Sequence, residues 1–560
     1  MSGASVPYYM QAAILEFLIN DLEPIQILDS GTFRCLLKSC GAKQELPNSD
    51  YFTNYLLECY IDTRHKVMNI VSNAESVYLK LNIWRSFACD KHMLTVSAQI
   101  LQSNMKVVSY VLQTTELPES YTHADIRDCL INLLSEWTIP ETSIILSADV
   151  KEIADMAKVM KCLNVNCLID SINCAVRECL TKPAIERLLN HARKLVGQFT
   201  TDNSTAVTLL QEKQTLLTLP HIKLKLDTAS SWVSVYEMLD TLQEQAAAVY
   251  AVMKDPLFEA DGKDIKLLSA SEQTLMQNLI AILKSLVMAV SMVTEMTYPS
   301  AAVILPVLKK LESTLKIADV DSQLIVDVKK CLWTNLSEKY SAGDVRDFLL
   351  ICSVTDPRYK DLKFVDTEDK KRAFELLRQE MKTFSAADDS AATRDSSPQI
   401  EFSSDMLIKV EPLDDEVEFV LRSPDQLPST SVRSPDQLPS SSESASPAKR
   451  QKQSPKQKAA FCNWLDDVVH EEIPTGNNED DAVSMEIARY EKEKQILSFS
   501  SPMSWWGERQ YIYPLLSQVA KKYLSAPAMV KAYDGRQEIL ERKQQCIAPD
   551  FLEYMLFLNG

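Results

Sequence analysis

Three β-rich runs lie close together near the start of an otherwise helical-looking chain, and they limit the possible folds more than any other feature. Val77-Tyr78-Leu79-Lys80-Leu81-Asn82-Ile83-Trp84, Met93 to Leu101 and Lys106 to Leu112 are rich in β-branched and aromatic residues and are joined by short links. Together they predict an antiparallel meander. A helix is expected from His123 to Trp137, with Ile126, Leu130, Leu133 and Leu134 on one face. Ser143 to Ser147 reads as a fourth strand, Glu152 to Lys161 as a helix, and Val165 to Leu168 as a fifth strand. This order defines an α/β domain, and periodicity goes no further.

Helix dominates the rest. Ala12 to Ile19 has helical spacing and runs into Pro24, which stops it. Phe33, Leu36 and Leu37 form a second short apolar face. From Ile169 to Glu380 apolar residues recur at three and four, as in Leu188 to Val196, Val235 to Val252, Leu275 to Val293 and Val307 to Leu315. Leu275 to Val293 comes nearest to a membrane span, but Gln277, Asn278, Lys284 and Ser285 interrupt it. With 10 Gly in 560 residues there is no G-x-x-x-x-G-K or G-x-G-x-x-G phosphate loop. A net charge of −18 confines any nucleic-acid contact to a local patch. The 13 Cys follow no disulfide framework and no signal peptide is seen, which points to a reducing compartment. From about Ser385 to Lys458, Ser, Pro, Asp and Gln displace apolar residues, and the unit Arg-Ser-Pro-Asp-Gln-Leu-Pro-Ser repeats at Arg422 and Arg433. That composition predicts disorder.

The last tenth concentrates large aromatics: Ser501-Pro502-Met503-Ser504-Trp505-Trp506, Tyr513-Pro514-Leu515, Tyr523-Leu524, and Phe551-Leu552 through Leu556 and Leu558. Surfaces this apolar are buried, against the same chain or a second copy. The Pro-x-x-Trp-Trp, Tyr-Pro-x-Leu and Ala-x-x-Tyr-Leu patterns resemble the C-terminal dimerisation region of hAT-family transposases and their domesticated, BED-finger relatives. Thr355-Asp356-Pro357-Arg358-Tyr359-Lys360 resembles that family's Leu-Asp-Pro-Arg-Tyr-Lys, though core packing accounts for such residues equally well. The resemblance implies an α/β RNase H-like core, a mixed sheet flanked by helices, interrupted by a large all-α insertion in a predominantly helical protein. The implied division is an N-terminal helical segment (1–75), the first part of the core (76–170), the insertion (171–384), a regulatory loop (385–460), the closing helix of the core (461–500) and the dimerisation region (501–560). No BED finger precedes the first helix in this sequence.

An RNase H-like transposase holds two divalent cations with three carboxylates. By resemblance the first belongs two residues before Trp84, where Asn82 stands. The second falls on Lys151, with Asp149 two residues away, and the third on Glu486, although a lone helical Glu more often faces solvent. The family's Cys-x-x-His becomes Cys167-Leu168-Ile169-Asp170. Cys162, Cys167, Cys174 and Cys179 do not have zinc-site spacing and read as buried helical thiols. Pro549-Asp550-Phe551-Leu552 and Leu556 to Asn559 agree with the family's ending, whereas Val530 to Glu541 lacks its Ser-x-x-Glu-Arg-x-Phe-Ser block.

Within the Ser-Pro-rich segment, Leu407-Ile408-Lys409-Val410-Glu411 matches the SUMO attachment pattern, with Lys409 as acceptor. Ser423, Ser434, Ser446 and Ser454 each precede Pro, as at proline-directed kinase sites. Lys449, Arg450, Lys452, Lys456 and Lys458 read as a nuclear localisation signal. The leading expectation is a nuclear, catalytically inactive, transposase-derived regulator or scaffold of transcription or chromatin. It would need no cofactor or metal and would pair with itself or a related hAT-like protein. The alternatives are a residual metal-dependent DNA-cleaving enzyme using Asp149 and Glu486, and a DNA-binding transcription factor without the usual finger.

Overall fold

A computed structural model describes residues 8–40, 47–86, 90–139, 144–147, 150–200, 204–228, 231–259, 266–296, 299–341, 343–392, 482–498, 500–530 and 549–559. Helices α1 (Tyr8–Asn20), α2 (Gly31–Ser39) and α3 (Ser49–Ser72) precede the sheet. Strands β1 (Val77–Ser86), β2 (Lys91–Leu101) and β3 (Val107–Leu117) follow as the expected meander. Helix α4 (His123–Glu136), strand β4 (Ile144–Ser147), helix α5 (Lys151–Met160) and strand β5 (Leu163–Asn166) complete the unit. The fifth strand sits two residues earlier than the sequence suggested, because Leu168 already opens the next helix.

The sheet order is β3-β2-β1-β4-β5. β1 is central, antiparallel to β2 and parallel to β4, with Leu81 opposite Val96 on one side and Ser147 on the other. A register shift after Val96 bulges the β2–β3 pair. Strand alternation gives the sheet two faces. Leu79 and Leu81 pack with Leu94, Val96, Ile126, Leu130 and Trp137 under α4. Tyr78 points the other way into the large helical core, and its hydroxyl donates to the carbonyl of Lys522 at 2.6 Å. Asp125 starts α4 by accepting from both the N–H and the hydroxyl of Thr122 at 2.7 Å.

Among the described residues, eleven helices lie between β5 and residue 392: α6 (Leu168–Leu180), α7 (Pro183–Gly197), α8 (Ser204–Leu216), α9 (Trp232–Glu244), α10 (Ala246–Met253), α11 (Pro256–Glu259), α12 (Ala270–Glu295), α13 (Ile304–Thr314), α14 (Gln323–Ser341), α15 (Gly343–Thr355) and α16 (Thr367–Ala392). Helix α12 is long and apolar enough to cross a membrane by length and composition. Its Met276, Leu279, Leu283, Leu286 and Val293 are nevertheless buried among its neighbours. Helix α16 continues to Ala392, past Ser385 where the disordered segment was expected to begin. Beyond it come α17 (Ala482–Lys492), α18 (Pro502–Arg509), α19 (Pro514–Leu524) and α20 (Pro549–Asn559). Helix α17 ends at Lys492, inside the 461–500 span assigned to the closing helix. The segment after α19 is laced into the helical core, with Leu168 N–H donating to Ala528 O and Ala301 N–H to Ala526 O. Helix α20 returns to the beginning of the chain: Leu552 and Met555 pack with Leu18, Phe52 and Leu56.

Candidate functional site

Two places concentrate the residues singled out by the sequence: the outer half of β1 and the start of the C-terminal region. On β1, Asn82 lies opposite Thr95 of β2, is 9% exposed, and shares a face with Tyr78 and Lys80. Lys80 was not foreseen as special. Its side chain is 8% exposed, it makes no ion pair among the described residues, and burial pushes its ammonium down to about 8. Lys151 is the exposed first residue of α5, directly after the Val150 cap. Asp149 lies outside the described residues.

Glu486 is not on a solvated face, contrary to the sequence reading. Its carboxylate is buried and accepts the N–H groups of Leu515, at 3.2 Å, and Leu516, at 2.9 Å. These are orphan donors at the first turn of α19, whose own cap residue, Tyr513, supplies no side-chain acceptor. Glu486 thus caps a helix from another element and meets its positive end. Burial raises its carboxyl above the ordinary value despite the two amide donors.

The aromatic tail forms one cluster within the chain. Trp505 and Trp506 meet edge-on at 4.8 Å, Tyr490 lies 5.9 and 5.3 Å from them, and Tyr513 closes the group at about 6 Å. Trp506 Nε1 donates to the carbonyl of Thr355 at 3.0 Å, and Tyr513 donates to Glu493 at 3.1 Å. The adjoining Asp-Pro-Arg-Tyr-Lys turn is the dock for this cluster. Arg358 makes a bidentate pair with Asp356 at 2.9 and 2.7 Å, Lys360 donates to Glu491 O and lies over the Tyr490 ring, and Ile496 N–H reaches Pro357 O. Burial opposes the charge on Arg358, but Asp356 outweighs it and raises the guanidinium further. The turn is therefore a buried, charge-paired joint.

The other tail residues are also placed within the chain. Pro514 takes the exposed first position of α19, Leu515 packs against the core, and Tyr523 and Leu524 are buried, with Tyr523 5.6 Å from Phe348. Phe551, Leu552, Leu556 and Leu558 pack around the N-terminal helices. Cys167 and Cys179 are buried, Cys162 is half-buried and Cys174 is exposed. Among the described residues no three His, Cys, Asp or Glu side chains are grouped to hold a metal ion. Lys409, Ser423, Ser434, Ser446, Ser454, Lys449, Arg450, Lys452, Lys456 and Lys458 all lie outside the described residues.

Residues 165–282 match the model of the ZBED1 RNase-like helical domain. Residues 484–560 match the hAT family C-terminal dimerisation region, which takes in Glu486 and the whole aromatic cluster. The chain is similar to zinc finger BED domain-containing proteins. It is 24% identical to human zinc finger BED domain-containing protein 6 over 273 residues, covering 44% of this chain and 27% of that protein. The mouse counterpart is 26% identical over 263 residues, covering 42% and 26%. Human zinc finger BED domain-containing protein 4 is 24% identical over 399 residues, covering 68% and 33%. The matched segments thus span about a third or less of these hAT-derived relatives' own lengths.

Proposed function

We propose that this chain is a catalytically inactive, transposase-derived nuclear protein that self-associates through its C-terminal region and serves as a regulator or scaffold in transcription or chromatin. The β3-β2-β1-β4-β5 order, with β1 central and β4 and β5 parallel to it, supports an RNase H-like reading of the core. The observation that carries inactivity is the face of β1. In such a core, hard divalent cations need anionic oxygens. Here Asn82 offers an amide, and the buried ammonium of Lys80 lies one alternation away, about 7 Å along the strand. Lys151, where the resemblance expects a second carboxylate, is an exposed cation, and the carboxylate of Glu486 is committed to the amides of α19. These residues do not fit a pair of divalent cations.

The relatives' names refer to a zinc finger, and the regulatory role proposed here is this chain's own. The basic cluster from Lys449 to Lys458 supports a nuclear address, and Lys409 with the Ser-Pro sites supplies places for regulated modification. Incubating the purified full chain with supercoiled plasmid in Mg²⁺ or Mn²⁺ tests the reading. No metal-dependent nicking is expected. Nicking that disappears in Asp149→Ala would restore the enzyme reading. A Glu486→Ala control is uninformative, because that change also uncaps α19.

A further inference from the structure

We propose that two copies of this chain meet through the turn between α18 and α19 together with the outer side of α17. The inference rests on the self-association reading and names the surface that performs it. The region matching the hAT dimerisation model begins at residue 484, yet its aromatic cluster is occupied within the chain: Trp506 and Tyr513 are fully buried and Trp505 nearly so. Self-association must then use what the region leaves outside. Tyr511 is 90% exposed, Met485 63% and Ile512 46%.

These three residues form one patch. Met485 and Arg489 are one helical turn apart on α17, and Arg489 donates to the carbonyl of Ile512 at 3.5 Å. The neighbouring Glu486 holds the start of α19. The turn is stiff, because Ile512 and Tyr513 both donate their N–H to Arg509 O and Tyr513 anchors it in the core. An apolar group on rigid backbone gives up little conformational freedom when covered. Met, Tyr and Arg are also the residue types enriched at the centres of protein interfaces.

Charge identifies a second copy as the occupant. A chain of net charge −18 repels its own kind at long range, so the copies need a local patch of mixed sign. The rim carries the exposed carboxylate of Glu508, paired with Arg509, and the guanidinium of Arg489, which reaches the Ile512 carbonyl. In a two-fold interface each residue of one copy meets its counterpart set on the other, so cations can oppose Glu508 twice over. The patch is complementary to itself.

The test is light scattering of the full chain at several concentrations, beside the double variant Met485→Lys, Tyr511→Lys. Both positions are exposed, and a thermal melt checks that the fold is kept. A dimer whose dissociation constant rises at least about 30-fold in the variant is expected, the loss of one hot-spot side chain or more. A wild-type dimer that the variant leaves intact overturns the surface and leaves self-association standing. A wild-type monomer throughout overturns both. Hydrogen exchange on the unmodified chain reads the same point without substitution: amides of residues 508–513 should exchange more slowly at dimer-forming concentration, and equal rates would refute the surface.

Discussion

Lys80 gives the sharpest test of the reading of β1. Its ammonium is buried with no acidic partner among the described residues, and burial lowers it from 10.5 to about 8. Each pH unit of that gap corresponds to 1.36 kcal/mol, so holding the charge at pH 7 costs about 3 kcal/mol of stability. Between pH 8 and 10.5 the unfolded chain binds more protons at this site than the folded one, so stability rises with pH across that window. About 2 kcal/mol should be recovered by pH 9.5. Lys80→Met keeps the length and removes the charge. Urea unfolding at pH 7 should show the variant more stable by about 1–3 kcal/mol, part of the gain being offset by imperfect packing. At pH 9.5 the difference should shrink towards zero, and comparing the two proteins cancels the other titrating groups. A variant destabilised at pH 7, or a difference independent of pH, would show that Lys80 has an anionic partner and that β1 does not repel cations as argued.

Glu486→Ala should destabilise the protein by about 3 kcal/mol, since two amides at the start of α19 lose a charged acceptor, and Glu486→Gln by about half that; chemical denaturation measures both, and equal small losses would mean that water replaces the cap. Tyr490→Phe should be neutral or stabilising by up to about 1 kcal/mol, because its buried hydroxyl has no hydrogen-bond partner among the described residues while its ring keeps its contacts with Trp505 and Trp506; a loss above about 1 kcal/mol in the same assay would count against that. His191 and Ser269 hold Glu272 down at about 2 by hydrogen bonding, and Glu272 with the Lys266 carbonyl raises His191 against the effect of its burial. Glu272 contributes above its ordinary 4.5 and loses this as pH falls towards 2, whereas His191 contributes below 6.5 and loses this as pH rises. The stability gap between wild type and Glu272→Gln should therefore peak between those values and narrow at both more acid and more alkaline pH, as thermal melts across the range would show.

The meander was legible because alternation and β-branching act locally, and α4 because Ile126, Leu130, Leu133 and Leu134 recur on one face. That Trp505 and Trp506 must be covered follows from their size. What covers them does not, because Tyr490, Tyr513 and the Thr355 carbonyl are assembled only by the tertiary fold. Glu486 was misjudged for the same reason: its partners are about thirty residues away and its helix looks ordinary. Lys80 sits in a strand whose alternation shows which face it occupies but not whether water reaches that face. The early start of β5 and the extension of α16 to Ala392 are boundary errors, where capping and packing prevail over composition.

Helix α20 has a consequence for synthesis. The core formed by Leu18, Phe52 and Leu56 is closed by Leu552 and Met555, and Tyr60 touches Tyr554 and Phe557 at 4.5 and 5.0 Å. Helices α1 and α3 leave the ribosome about 500 residues before α20 and therefore wait for it before their apolar faces are covered. At about 5–20 residues per second, the delay is tens of seconds. Throughout that time α1 and α3 present adhesive surface in a crowded cell, and a ribosome stalled before α20 would release a chain in which those early helices, rather than the absent α20, are what chaperones must hold.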